Sequence, residues 1–200
     1  MSDIVEKSSS SFVAVNINEF LDALVPTLKP PVANRVWFQG SQFFAMIVGG
    51  PNARDDFHFQ PGQELFYMIK GDMNLDVYDN GTRKKVPIAQ GEMFLLPEEV
   101  NHSPQRQANT IGLVFERLRK AEDIDHLKWF KPDTDQVMYE EEFHCSDINN
   151  ALKPIIGRFL ASPENDVLKA APRPNPPVSE LHRPTVVQIP AIIEEMRQNP

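Results

Sequence analysis

The middle of the chain alternates between apolar and polar residues with a period of two. In M-N-L-D-V-Y, Met73, Leu75 and Val77 lie on one face of an extended chain and their polar neighbours lie on the other. The D-N-G-T that follows is a strong hairpin signal, because Asn80-Gly81 tolerates the positive φ of a tight turn. Compact apolar runs predict further strands in F-F-A-M-I-V-G-G, E-L-F-Y-M-I-K, V-P-I-A-Q-G-E-M-F-L-L-P (two short strands) and T-I-G-L-V-F-E-R.

Many short strands with turn signals at close spacing predict an all-β fold, either an antiparallel sandwich or a barrel. A small jelly-roll β-barrel fits this pattern best. N-I-N-E-F-L-D-A-L predicts a short amphipathic N-terminal helix that is capped by Asn16 or Asn18 and ended by Pro26. I-N-N-A-L-K-P-I-I-G-R-F-L-A predicts a second helix around Pro154, and L-R-K-A-E-D-I-D-H-L-K-W-F predicts a loop and a short helix.

Composition divides the chain into three parts. Residues 1–15 are polar and Ser-rich, which predicts a mobile N-terminus. Residues 16–162 contain the predicted strands and helices and are expected to form one domain. Residues 163–200 include R-P-N-P-P-V, and seven of the 18 prolines lie between Pro163 and Pro190. This last part is predicted to be a Pro-rich extension, wrapped over the barrel or flexible, rather than a second domain.

Charge and composition limit the function classes. The 200 residues carry 20 Lys and Arg against 28 Asp and Glu, a formal net charge of −8. This argues against general binding to nucleic acid or to a membrane surface, because both need a basic face. The first residues match neither a secretory signal nor a transit peptide, and no run approaches the roughly 20 apolar residues of a membrane helix. A cytoplasmic protein is therefore expected.

Three residues are candidates for a metal site. His58 and Glu64 are six residues apart, and His102 follows a later predicted strand. Glu64 shares a strand face with Phe66 and Met68, where an unpaired carboxylate is costly to bury. Two imidazoles and one carboxylate form the facial triad that is typical of non-haem Fe(II). The spacing alone also allows two scattered histidines and a surface acid.

Two arginines and a glutamate accompany these residues. Arg54 lies in G-G-P-N-A-R, and Arg106 lies four residues after His102, a spacing at which one loop carries both. Glu116 ends a predicted strand and could orient the Arg106 guanidinium or accept a hydrogen bond from a substrate N–H or O–H. Each charge is either solvated, as is usual, or part of a buried clamp for a substrate carboxylate. The remaining histidines stand in polar or Pro-rich surroundings, where surface or structural roles are expected: His126, His144 and His182.

Longer blocks carry a more specific signal. They are P-P-V-A-N, V-G-G-P-N-A-R-D-D-F-H, E-L-F-Y-M-I-K-G-D-M, Q-G-E-M-F-L-L-P and H-S-P-Q-R-Q-A-N-T-I-G-L-V-F-E-R. Through these blocks the chain, from about Pro31 to Phe130, resembles the 3-hydroxyanthranilate 3,4-dioxygenases. These are cupin-fold enzymes of the kynurenine route to quinolinate and NAD.

The resemblance implies a cupin dioxygenase domain over residues 16–162. It implies an Fe(II)-dependent enzyme that opens the ring of 3-hydroxyanthranilate with O₂ to give 2-amino-3-carboxymuconate semialdehyde. It is compatible with a homodimer. The implied Fe(2+) ligands are His58, Glu64 and His102; the implied substrate-binding residues are Asn34, Arg54, Arg106 and Glu116, and among these Arg54 and Glu116 are also assigned catalytic roles.

The sequence departs from the family in one respect. Bacterial members carry two Cys-x-x-Cys pairs that hold a second, rubredoxin-like iron, whereas Cys145 is the only cysteine here. One iron per chain and no second rubredoxin-like iron are therefore expected. Two other classes compete with the dioxygenase: a non-catalytic cupin module, and a cupin enzyme such as an isomerase that uses another divalent metal. Arg54, Arg106 and Glu116 favour the dioxygenase, because a bare binding module needs no buried carboxylate clamp.

Overall fold

The computed structural model describes residues 14–28, 33–52, 54–79, 82–132, 134–171 and 186–188. The strands are β1 (Ala33–Gln39), β2 (Phe43–Gly49), β3 (Phe57–Phe59), β4 (Glu64–Lys70), β5 (Met73–Asp79), β6 (Thr82–Ile88), β7 (Glu92–Leu96), β8 (Asn101–Arg106), β9 (Ile111–Arg117), β10 (Asp125–Phe130), β11 (Val137–Phe143) and β12 (Val186–Gln188). They form two six-stranded antiparallel sheets that pack face to face, with strand orders β1-β2-β9-β4-β7-β12 and β11-β10-β3-β8-β5-β6. The all-β jelly-roll class predicted from the sequence is confirmed.

The N-terminal helix α1, Ile17–Leu24, forms as predicted. The Asn16 side chain caps it by accepting hydrogen bonds from the backbone N–H groups of Asn18 and Glu19 at 3.0 and 3.3 Å. A short 3₁₀ helix, Val25–Thr27, follows and contains the proline that ends α1. The buried face of α1 covers the outer face of the first sheet, so the interior between the sheets stays free for a site.

Alternation along the strands decides which side chains face that interior. Met73, Leu75 and Val77 of β5 are buried in the core between the sheets, as their period predicts. On β9, Leu113 packs in the outer cluster under α1, whereas Val114 belongs to the core between the sheets. Glu116 follows two residues later and takes the inward orientation, on the face opposite Leu113.

Two segments near the site, for which loops and a short helix were expected, form strands instead. The segment predicted as a loop and short helix ends in the strand β10, which pairs with β3 and β11. Asp125, Leu127 and Trp129 point inward along β10. Because the first of these inward residues carries a carboxylate, the segment does not show the alternation of apolar and polar residues that is typical of a strand. His102 and Arg106 lie on strand β8 and not on a loop.

The C-terminal region is more helical than predicted. Helix α2, Ile148–Leu160, includes Pro154 as expected. Helix α3, Pro163–Ala170, stands where an extended chain was expected, because its proline at the first turn and the acidic Glu164 and Asp166 favour a helix start. Strand β12 pairs with β7 and forms the edge of the first sheet. Residues 1–13 of the predicted mobile N-terminus (1–15), the Asn80-Gly81 turn and most of the Pro-rich extension lie outside the described residues.

Within the described ranges, no helix is long and apolar enough to cross a membrane. The division of the chain at residues 16, 162 and 163 stays a prediction.

Candidate active site

Two neighbouring strands of one sheet and a strand of the facing sheet bring the candidate metal ligands into the interior. His58 on β3 stands opposite His102 on β8, and their ring centroids are 5.4 Å apart. Glu64 begins β4 in the facing sheet, and its Oε2 lies 3.0 Å from His102 Nε2. All three residues are at most 4% exposed. They therefore form one buried group and are not scattered over the surface.

His102 and Glu64 are each held by a second group. His102 Nδ1 lies 3.0 Å from the carbonyl oxygen of Val100, a contact that suits an N–H at Nδ1, so Nε2 is the nitrogen that faces Glu64 and is available to a metal. Glu64 Oε2 accepts a hydrogen bond from Gln60 Nε2 at 2.9 Å. Burial raises the pKa of Glu64, but His102 and His58 outweigh it and lower the pKa overall, so the carboxylate is ionised at neutral pH.

His58 is turned toward a residue that the sequence analysis did not identify. Its Nε2 lies 2.7 Å from Oδ2 of Asp125, which is fully buried. In this arrangement the ligand atoms of His58, Glu64 and His102 do not all lie within 4.8 Å of one another. Burial, despite Asp125, lowers the pKa of His58, so the imidazole is in the neutral form that binds metals.

A different group has its ligand atoms within 4.8 Å of one another. Among the described residues it is the one such set, formed by His126, Glu140 and Glu142 on β10 and β11. His126 Nδ1 lies 2.7 Å from Glu140, but Lys128 Nζ also lies 3.2 Å from the same carboxylate, and both glutamates are exposed. A solvated ion-pair cluster, with a lysine already in place, explains this group without a metal.

His144 takes no part in the interior group. His144 is exposed, and its Nδ1 lies 2.9 Å from the carbonyl oxygen of Asp123. His182 lies outside the described residues.

The interior donor atoms are of the types that bind an iron ion, and each candidate ligand is held by a second residue. Two imidazoles and one carboxylate are the donor set of non-haem Fe(II), with coordination positions left for other ligands. Each candidate ligand has an outer partner, namely Val100 for His102, Gln60 for Glu64 and Asp125 for His58. Such outer partners orient metal ligands in proteins.

One cavity joins this group to the other candidate residues. All seven predicted site residues line it: the three candidate ligands and Asn34, Arg54, Arg106 and Glu116. Apolar side chains from β2, β4 and β9 and from helix α2 complete its wall: Met46, Phe66, Val114, Ile148 and Leu152. The cavity therefore combines an apolar wall with a few convergent polar groups, as ligand sites do.

Arg106 is a buried cation for which the described residues supply no anionic partner. It is 3% exposed, its Nη1 donates to the Met68 sulfur at 3.4 Å, and its Nε has no hydrogen-bond partner among those residues. Burial lowers the pKa of Arg106 to about 10, so it remains charged at neutral pH. Gly112 makes room for it, since a Cβ at this glycine would lie 2.4 Å from Arg106 Nη1.

Glu116 and Arg54 have partners that differ from the expected clamp. Glu116 was expected to orient Arg106, but its Oε2 accepts from Arg119 Nη2 at 2.9 Å. The pKa of Glu116 is raised to about 8, mainly because the carboxyl group is buried and secondly because the negative charge of Glu64 is nearby. Arg54 pairs with Asp56, and this pairing outweighs burial and raises the pKa of Arg54.

Four further polar residues support the site and were not predicted from the sequence: Asp56, Gln60, Arg119 and Asp125. In the sequence each is only a polar residue in or beside a short strand. Nothing local marks such a residue as buried, because its buried partner is distant in sequence or was itself not predicted.

Comparison with known proteins identifies the family. Residues 10–160 match the sequence model of the 3-hydroxyanthranilic acid dioxygenase family. The chain belongs to this family. It is 46% identical to the 3-hydroxyanthranilate 3,4-dioxygenase of Danio rerio over 79% of this chain and 55% of that protein. The mouse and human proteins of the same name are 43% and 44% identical over 85% and 73% of this chain and 58% and 51% of their own lengths.

The chain thus spans about half the length of the curated relatives it matches. Among solved structures, a cupin-2 domain containing protein from Shewanella frigidimarina aligns with a TM-score of 0.43 and 16% identity, over 52% of this chain and 94% of that one.

The single cysteine gives a test of the expected metal count. Cys145 is 8% exposed, and burial raises the pKa of its thiol to about 12, so it is a neutral core group. We expect Cys145→Ser to leave iron content and turnover within a small factor of the wild type. Iron per chain, measured on both proteins after the same reconstitution, checks this. Loss of half the iron in the variant would reveal a second, thiolate-dependent site.

Proposed function

We propose that this protein is an Fe(II)-dependent dioxygenase that opens the ring of 3-hydroxyanthranilate with O₂ to give 2-amino-3-carboxymuconate semialdehyde. The reaction would serve the kynurenine route from tryptophan to quinolinate and NAD. One observation carries the proposal: the buried guanidinium of Arg106, which has no anionic partner among the described residues, lines the same cavity as His58, Glu64 and His102. A buried charge without a partner is strongly unfavourable, so this cavity is suited to a ligand that brings an anion.

The substrate fits that requirement. It is a benzoate with adjacent amine and hydroxyl groups, and relatives more than 40% identical carry the name of the enzyme that acts on it. Its carboxylate can accept two parallel hydrogen bonds from the Arg106 guanidinium. Its ring can pack against the apolar wall formed by Phe66 and Val114.

The metal would be held by His58, Glu64 and His102. When bound, Fe(II) would supply the redox chemistry that allows O₂ to react with the aromatic ring. The protein's own contribution is to hold the donors in place. His102 presents Nε2, because Nδ1 is directed at Val100, and Glu64 brings a negative charge.

The remaining polar groups would orient the substrate and stabilise charge. Glu116 faces the cavity and can accept a hydrogen bond from the substrate amine or hydroxyl. Asn34 on β1 offers an amide at the same wall. Arg54, which donates hydrogen bonds to Asp56, would stabilise negative charge that develops on the oxygen substrate.

An activity assay tests the proposal directly. The protein is purified without oxygen, reconstituted with Fe(II), and mixed with 3-hydroxyanthranilate and O₂ while product absorbance and O₂ uptake are recorded. We expect one O₂ consumed per substrate and product formation that depends on iron. Iron bound without turnover would instead indicate a non-catalytic cupin. Activity with another divalent metal and no O₂ uptake would indicate an isomerase-like enzyme.

The role of Arg54 gives a separate prediction. Loss of one donor that stabilises developing charge typically lowers kcat on the order of 100-fold. We expect Arg54→Ala to lower kcat by about this factor, with a smaller change in KM for 3-hydroxyanthranilate and with iron content retained. Arg35 is an exposed arginine on β1. The control variant Arg35→Ala should therefore behave as wild type. A large rise in KM at unchanged kcat would assign Arg54 to ground-state binding instead.

A further inference from the structure

A buried charge network lies behind the cavity wall. Arg119 Nη2 donates to Glu116 Oε2 at 2.9 Å and to Asp125 Oδ2 at 2.8 Å, and its Nε donates to Asp125 Oδ1 at 2.7 Å. The Arg119 side chain is 2% exposed and that of Asp125 is 0% exposed. Asp125 Oδ2 also lies 2.7 Å from His58 Nε2. One guanidinium therefore connects the carboxylate at the cavity wall to a carboxylate that contacts a candidate metal ligand.

Fold stability alone does not account for such a network. Removing charged groups from water is costly, and well-packed apolar residues of similar volume are often as stable as a buried ion pair. The planar guanidinium binds Asp125 through two nitrogens, which restricts the orientation of that carboxylate. Since β10 lies beside β3, with Leu127 opposite His58, the backbone pairing also brings Asp125 to the His58 ring.

We propose that Asp125 and Arg119 are positioning residues of the metal centre. Asp125 holds the His58 imidazole by one ring nitrogen and leaves the other for the metal. Arg119 fixes Asp125 and at the same time holds Glu116 at the cavity wall. The proposal rests on the iron site of the proposed function. It is supported by the general finding that a carboxylate on a histidine ligand sets its tautomer and orientation and strengthens metal binding.

Metal affinity is the readout that separates positioning from simple structural support. Loss of an outer partner of a metal ligand typically costs 10–100-fold in metal affinity. We expect Asp125→Asn, which keeps the size of the side chain, to weaken Fe(II) binding by about this factor in anaerobic titration against a chelator. The visible absorption bands of bound Co(II) should also shift in this variant, because they report the geometry of the ligands.

Arg119 is expected to affect both sides of the network. Arg119→Gln should weaken Fe(II) binding as Asp125→Asn does. It should in addition raise KM for 3-hydroxyanthranilate, because Glu116 loses the group that holds it. Arg119→Lys keeps the charge but not the two-nitrogen contact, so it should restore part of the metal affinity and less of the substrate binding.

A neighbouring ion pair supplies the matched control. Arg117 and Asp123 pair two residues earlier in the chain, and neither contacts the candidate ligands. Asp123→Asn is therefore the same substitution in an ion pair of the same residue types, whose arginine is 33% exposed. It should lower the thermal midpoint without changing Fe(II) affinity or the Co(II) spectrum.

The outcomes are distinguishable. Asp125→Asn with wild-type Fe(II) affinity and a wild-type Co(II) spectrum would overturn the positioning role and leave the proposed function intact. An equal loss of affinity in Asp123→Asn would also overturn it, since general destabilisation would then explain both results. Wild-type protein that binds no Fe(II) would overturn both proposals. If Arg119→Gln does not fold, Asp125→Asn still decides the question.

Discussion

Replacing His102 by alanine is expected to remove the iron and with it the turnover, while the protein stays folded. His102 is 1% exposed and its Nε2 lies 3.0 Å from Glu64, so no exposed group can take its place without rearrangement of the core. Loss of an outer partner alone costs 10–100-fold in metal affinity, so loss of a ligand should cost more than about 100-fold. His58→Ala should behave in the same way. Iron per chain after anaerobic reconstitution, with circular dichroism on the same samples, measures the effect.

The surface group on β10 and β11 provides the control. His126→Ala removes the central residue of the one described cluster whose ligand atoms already lie within 4.8 Å of one another. If the iron binds in the interior, this variant keeps full iron and full turnover. Retention of iron in His102→Ala together with its loss in His126→Ala would move the metal site to the surface of the second sheet.

Removal of the Arg106 guanidinium should weaken substrate binding by one to two orders of magnitude. A hydrogen bond to a charged group contributes roughly 1.5–3 kcal/mol, and about 1.4 kcal/mol is a factor of ten. Arg106→Ala should therefore raise KM for 3-hydroxyanthranilate about 10- to 100-fold and leave the iron content unchanged. Arg106→Met, which keeps much of the volume, should do the same without lowering the thermal midpoint, because the guanidinium is buried without an anionic partner. Wild-type KM in both variants would exclude Arg106 from substrate binding.

A glycine on the facing strand allows the same prediction to be tested without changing the arginine. A Cβ at Gly112 would lie 2.4 Å from Arg106 Nη1, so Gly112→Ala must displace the guanidinium. We expect a rise in KM similar to that of Arg106→Ala, again with full iron. Gly157→Ala is the matched control, because nothing lies within 4 Å of a Cβ at that position. A normal KM in Gly112→Ala would mean that the position of Arg106 does not matter for binding.

The sequence by itself was sufficient for the all-β class, the first helix and the faces of the central strands. These features depend on local patterns: the period of two along β5 and β9, and the Asn16 cap before an apolar stripe. The same period orients Glu116 inward, opposite Leu113. The residue pattern offered six candidate site residues as one of two open readings, the resemblance to the family added Asn34 and gave all seven their roles, and the structure brings all of them to one cavity. Their individual roles stay predictions.

Only the tertiary structure decided how those residues are paired. Asp125 meets His58 across 67 positions of sequence, through a strand that the local pattern did not reveal. Arg119 takes the Glu116 carboxylate that was expected beside Arg106, and no other described residue gives Arg106 an anionic partner. A buried charge is placed by what it meets in the core, and its desolvation is offset only by partners from other strands. Local sequence carries no record of those partners, because strand pairing brings them together only in the folded chain.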